Sequence, residues 1–203
     1  MKRLTRMGKA TIFLLVLLSS TFVWGNGFPQ TMLITGKAML RRADGTEVPA
    51  GQQLSSGAQV TINGTNAISG ATVFSDSTVT TAKGSSAVVS LGKLGRVEVF
   101  PGSTMKLSFT DSTIEVGMLD AGRVRVSSSS GVNATATTND GAVVANGRAK
   151  NEFTVDTTCG NTWVGVKKGS VELRAGNAVK QIAAGSQDSA GQARPGCTPT
   201  SKD

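Results

Sequence analysis

The sequence predicts an all-β protein, and three observations carry that prediction. Gly, Ser and Thr, which weaken helix interiors, contribute 25, 21 and 24 of the 203 residues. Short segments of alternating apolar and polar residues recur from Thr31 to Ile182, with turn dipeptides between them. After residue 25 no segment keeps helical apolar spacing over three turns. The expected architecture is a single domain of short strands, either a β-solenoid or a β-roll or sandwich.

The amino terminus comes first. Lys2, Arg3, Arg6 and Lys9 supply four cations and no acid ahead of an apolar run from Ala10 to Trp24. That is the basic n-region and apolar h-region of an export signal. The run is shorter than the roughly 20 apolar residues that a spanning helix needs. Residues 1–25 are therefore read as a signal peptide, or as an anchor if uncleaved, and the anchor would be the chain's contact with a membrane. Val23 and Gly25 suit the positions flanking a cut before Asn26, and Gly25 and Gly27 suit one before Phe28. No cysteine lies near this boundary, which excludes a lipoprotein anchor.

The strands follow in order. Thr31–Thr35 and Ala38–Arg42 precede the turn Asp44-Gly45, and Gln59–Ile62 runs into Asn63-Gly64, a strong hairpin signal. Ala87–Leu91, Arg96–Phe100, Met105–Phe109, Thr113–Val116 and Arg123–Val126 come next. Beyond a Ser/Gly loop at Ser127–Gly131 lie Ala142–Ala145, Glu152–Val155, Thr162–Val166, Val171–Leu173 and Ala178–Ile182. Alternation assigns Val97, Val99, Leu107, Phe109, Ile114, Val116, Val124, Val126, Phe153, Val155, Val164, Val166, Val171 and Leu173 to the core. Arg96, Glu98, Lys106, Arg123, Arg125 and Glu172 fall on the solvated face. Glycines preceding alternating residues at Gly95, Gly122 and Gly169 form a loose repeat, which solenoid coils and hairpin meanders both explain. From about Gly185 the apolar content vanishes, so residues 188–203 read as a flexible tail.

Charge and chemistry narrow the function. Without residues 1–25, 17 Lys+Arg face 13 Asp+Glu, a mild cationic excess with scattered positions. The aromatics of this part, five Phe and Trp163, form no stacking pattern, so no nucleic-acid partner is expected. His is absent, which removes the commonest general base and a favoured metal ligand. Two cysteines are too few for a zinc site without it. Cys159 and Cys197 instead read as one disulfide of an exported protein, tethering the tail. Asp44-Gly45 and Asp140-Gly141 lack the ligand ladder of a calcium loop and read as turns. The sequons at Asn63 and Asn133 read as turns too. No cofactor, metal or catalytic residue is assigned. Carboxylates at Asp76, Asp111, Glu115, Asp120, Asp140, Glu152, Asp156 and Glu172 leave a glycan-active enzyme as the alternative, which needs two of them across one cleft.

Several pieces in a fixed order carry a family resemblance. They are Thr80-Thr81 through Gly84 to Ala87–Gly92; Val97–Phe100, Pro101-Gly102-Ser103 and Thr104–Leu107; Ile114–Val116 with Leu119–Val126; and Asn146–Val155 with Thr162–Leu173. From about Gly36 to Gln187 this order resembles the FecR-like periplasmic domain, which places a FecR-like all-β domain at 26–187. Gly147–Glu152 departs from the Gly-Thr usual before the corresponding strand of the family. Only Met1–Lys9 precede the apolar run, too few for a sigma-binding region. The resemblance thus implies an extracytoplasmic (periplasmic or secreted) β-domain without the family's iron-regulatory signalling. The expected role is non-enzymatic: binding an envelope protein or polysaccharide partner, or acting as a scaffold. The extracytoplasmic sensor part of a signalling system is a further alternative. Mass measurement of the exported protein is expected to give a chain beginning at Asn26 or Phe28; intact Met1 in the membrane fraction indicates the retained anchor.

Overall fold

The computed structural model describes residues 34–55 and 57–199, and the predicted signal and its cleavage site lie outside them. The described residues form strands and one 3₁₀ turn at Gly92–Leu94. In chain order the strands are β1 (Gly36–Arg42), β2 (Val60–Ile62), β3 (Thr65–Asn66), β4 (Ala71–Val73), β5 (Ser77–Thr81) and β6 (Ser85–Ser90). Then come β7 (Gly95–Val99), β8 (Thr104–Phe109), β9 (Thr113–Met118), β10 (Arg123–Ser128), β11 (Asn133–Thr138) and β12 (Gly141–Ala145). The last are β13 (Asn151–Asp156), β14 (Thr162–Lys168), β15 (Ser170–Ala175), β16 (Ala178–Ala183) and β17 (Gln187–Ala190).

These strands make two sheets. One has eight strands in the order β17-β14-β13-β10-β7-β6-β1-β4, the other nine in the order β16-β15-β12-β11-β9-β8-β5-β2-β3. From β6 onward the chain feeds the sheets by turns: β6 and β7 enter the first, β8 and β9 the second, β10 the first, β11 and β12 the second. Paired strands run antiparallel except β9 with β11. Solenoid coils stack successive turns in parallel, so the arrangement is that of a sandwich. The glycine repeat accordingly marks turns: the strands after Gly95 and Gly122 pair antiparallel with each other, as coils of a solenoid do not.

The alternation translates directly into burial. All fourteen residues assigned to the core are at most 5 % exposed, and they belong to one apolar cluster running from Ala38 to Ala190. Burying each large aliphatic or aromatic side chain contributes roughly 1.5–3 kcal/mol, enough for the set to dominate folding.

Some strands depart from the reading. In β11 the inward residues are Ala134 and Ala136, too small to register as hydrophobic alternation among Asn and Thr. β5 buries only Val79 as an aliphatic side chain, flanked by the polar Ser77 and Thr81. Ile34 and Thr35 lie outside any strand. The largest departure is at the carboxyl end. Gln187–Ala190, assigned partly to the tail, is an edge strand paired with β14 from Thr162 to Gly165. Backbone hydrogen bonding, which composition does not reveal, holds it there. Beyond it the Arg194 amide donates to the Cys159 carbonyl at 2.9 Å. Cys159 and Cys197 form a disulfide with Cα atoms 5.6 Å apart. Their separation of 38 residues makes the bridge worth about 4 kcal/mol in the chain-entropy treatment. Such a bond is consistent with an extracytoplasmic location.

The two sheets end side by side at β16 and β17. Lys180 sits opposite the buried Leu173, on the inner side of an edge strand. Its ammonium donates to Asp188 Oδ1 at 2.8 Å and to the Ser189 carbonyl at 2.9 Å, joining the two edges. The Lys180 hydrogen bond, followed by the Ser189 amide, holds the Asp188 carboxyl below its usual range. An inward charge of this kind also discourages edge-to-edge pairing.

Gly95 opens β7 with φ of 136°, and a Cβ there would lie 2.0 Å from the Ser127 carbonyl oxygen of neighbouring β10. Gly176, in the turn between β15 and β16, has φ of 54° with nothing within 4 Å of an added Cβ. Gly95→Ala is expected to cost about 2–4 kcal/mol through crowding and strain, and Gly176→Ala about 1 kcal/mol through conformation alone. Urea unfolding of the two variants measures the difference; equal losses rule out crowding as the reason for Gly95.

Candidate functional site

The outer face of the eight-stranded sheet gathers the charged and aromatic side chains that the core leaves over. Register places Gln187, Gly165, Thr154, Arg125, Glu98 and Val88 in one row across six strands. Two residues along the strands, Glu152, Ser127, Arg96 and Ser90 form a parallel row. Alternate residues of β6, β7, β10 and β14 point into the core, so the side chains between them stand on this face; β13, buried along most of its length, leaves Thr154 partly open here.

A charge network occupies the first row. Glu98 accepts from Arg125 Nη1 through Oε2 and from Arg41 Nη1 through Oε1, both at 3.3 Å. Arg41 also donates to Glu47 at 2.9 Å, and Arg125 Nε to Thr154 Oγ1 at 3.3 Å. The Phe100 ring lies beneath two guanidinium groups, with Arg123 4.0 Å and Arg125 5.3 Å from its centroid. Arg123, Arg125 and Glu98 thus stand on the predicted face, but all three are partly buried because they pack on one another and on Phe100. Their mutual contact is a matter of register, which alternation along single strands does not disclose.

Two depressions flank this network. The first, of about 270 Å³, is lined by Arg125, Thr154, Trp163, Gly165, Lys167 and Gln187 among others. The six-membered ring of Trp163 packs against Gly165: a Cβ there would come within 2.6 Å of it. The glycine therefore makes the space in which the indole forms a shelf. The second depression, of about 340 Å³, follows the other row, with Ser90, Arg96, Ser127, Ser129, Lys150, Glu152 and Lys168 on its walls. Glu152 is 9 % exposed, next to the bulge between Glu152 and Phe153, with the ammonium groups of Lys167 and Lys168 at 3.7 and 3.6 Å. Asn151 fixes the adjoining loop by donating to the carbonyls of Asn146 and Ala149 at 3.0 and 2.9 Å.

The fold scatters most of the remaining carboxylates. Asp76 accepts from Ser108 and pairs with Lys106, and these contacts, in that order, lower its pKa. Glu172 is lowered likewise by Arg174 and then Gln181. Asp156 accepts from the Thr158 amide and hydroxyl. Asp120 and Asp140 do share a cleft, of about 250 Å³. Asp140 accepts there from the Thr162 hydroxyl at 3.2 Å, while Asp120 is exposed. Among the described residues no three Cys, Asp or Glu side chains are grouped as a metal site. No family model matches the sequence, and no curated protein matches it.

The half-buried network yields a stability prediction. Glu98→Gln leaves Arg41 and Arg125 facing each other without the carboxylate and is expected to cost about 1–3 kcal/mol. Glu172→Gln, which breaks an exposed pair with Arg174, is expected to leave the urea midpoint unchanged.

Proposed function

We propose that the chain is an exported, FecR-like β-module that works by binding, and that the outer face of the eight-stranded sheet is where an envelope protein or polysaccharide docks. The observation that carries the proposal is the pre-organisation of that face. Glu98, Arg125 and Trp163 stand on strands β7, β10 and β14, and Phe100 follows β7 directly; Glu98, Arg125 and Phe100 are held by contacts between β7 and β10, and Trp163 packs on Gly165 of its own strand. The basic and apolar amino-terminal segment and the disulfide support an extracytoplasmic setting. The FecR-like reading rests on the order and spacing of the motifs between Gly36 and Gln187. Most large apolar side chains of these strands serve the core, so recognition on this face is mainly polar and aromatic.

Thr154 offers the test, because it stands between Arg125 and Gly165 at the centre of the face. Affinity capture from envelope extracts with the exported chain is expected to enrich a partner, protein or polysaccharide. Thr154→Arg is expected to abolish the capture, and Thr135→Arg, on the outer face of the other sheet, to leave it intact. Absence of any enriched partner favours a scaffold role.

One observation favours a second reading, a carboxylate-dependent glycan-active enzyme: Asp120 and Asp140 line the same cleft. A glycosidase acid sits where water is excluded, and Asp120 is exposed. Hydrolysis of a glycan that disappears in both Asp120→Asn and Asp140→Asn would establish this reading instead.

A further inference from the structure

We infer that the outer face of the eight-stranded sheet takes an acidic, carboxylated polysaccharide, its carboxylates in the cleft at Arg96, Lys150 and Lys168 and a sugar ring on Trp163. The inference rests on the binding-module reading and names the ligand class for it.

Charge is the first argument. The cleft brings Arg96, Lys150 and Lys168 around a single acid, Glu152. Glu152 is already shared between Lys167 and Lys168. Among the described residues neither the Arg96 nor the Lys150 side chain has a hydrogen bond or ion pair, and both residues are exposed. An anion entering here meets two uncommitted cations. The guanidinium of Arg96 matches a carboxylate with two parallel hydrogen bonds, a geometry an ammonium does not offer.

The polar lining is the second. The Ser127 hydroxyl, between Arg96 and Glu152 in the row, is buried and lacks a hydrogen-bond partner. Ser90 and Ser129 add further hydroxyls on the same walls.

Shape is the third. Lys167 lines the first depression and its neighbour Lys168 the second, so the two adjoin on one face. Trp163 and Lys167 stand on the same side of β14, four residues apart, which corresponds to about 13 Å along the strand. That length exceeds one sugar ring and suits a chain. The indole, packed against Gly165 and lining the first depression, gives an apolar ring at one end, and the cations of the second cleft lie toward the other. A nucleic acid would ask for several stacking platforms, and this face has Trp163, with Phe100 covered by arginines.

The test uses the exported full chain, titrated calorimetrically with oligogalacturonate, with a neutral malto-oligosaccharide of equal length and with a single-stranded oligodeoxynucleotide. Oligogalacturonate is expected to bind, less tightly as salt is raised, and the neutral glucan not to bind. The double variant Arg96→Ser/Lys150→Ser removes two exposed side chains without partners, so folding is preserved. It is expected to weaken oligogalacturonate binding at least about tenfold, the loss of one charge-assisted contact or more. Trp163→Ala, checked by its thermal melt, is expected to weaken it as well. Unchanged affinity in the double variant overturns the inference, as does oligonucleotide binding of equal strength. Failure of oligogalacturonate to bind, while Thr154→Arg still abolishes capture of an envelope partner, overturns the inference and leaves the binding-module reading standing.

Discussion

At several crossings between the sheets, after β5, β7 and β9, the chain carries backbone amides and carbonyls past the rim of the core with hydrogen-bonding capacity that the ladder leaves unused. Short hydroxyl side chains take up those groups, and the sandwich depends on them. Thr81, at the end of β5, donates to the Phe100 carbonyl at 2.6 Å and accepts from the Ser103 amide at 3.1 Å. Ser103 in turn donates to the Arg123 carbonyl at 3.1 Å and accepts from the Arg123 amide at 2.8 Å. Thr157 accepts from the Gly122 amide at 3.0 Å, and Ser85 donates to the Gln59 carbonyl at 3.0 Å. A hydroxyl is suited to this because one atom both donates and accepts. An unmade hydrogen bond at such a buried site costs about 1–3 kcal/mol, so the rim would not close over aliphatic side chains.

Glycine completes the same corners. At Gly122 a Cβ would lie 2.8 Å from the Ser103 backbone, so the approach that brings Ser103 onto Arg123 requires its absence. The high Ser, Thr and Gly content is therefore more than a weak helix propensity. It is the material of a fold that changes sheets every one or two strands.

That alternation between sheets also explains where recognition chemistry collects. Every strand gives alternate residues to the shared core, and the residues between them are displayed on a surface whose spacing is set by the ladder. On the eight-stranded sheet the display brings charges from β1 and β10 onto Glu98 of β7, and packs Trp163 on Gly165. On the nine-stranded sheet the corresponding positions include Thr78, Lys106, Glu115, Thr135 and Thr137, and among the described residues of these strands no outward side chain is aromatic. The difference between the two faces makes the first the better surface for a ligand. Its clefts are lined largely by polar groups because the apolar residues lie inside.

Alternation alone determined the fold class, the identity of the inner residues and the outward side of Arg96, Glu98, Arg123 and Arg125, because a strand's period of two fixes faces without reference to any partner. The disulfide was legible from an export-like amino terminus and a count of two cysteines. Strands with little apolar signal were not legible: β11 buries alanines, and β17 is held by hydrogen bonds to β14. The recognition surface was hidden for a related reason. Arg41, Glu98 and Arg125 lie 57 and 27 residues apart in sequence, as do other members of the face at similar separations. They meet only because antiparallel register sets β7 against β10 and lets Arg41 reach across β6. Register depends on which strands pair and where each crossing ends, and those are properties of the closed sandwich rather than of any one segment.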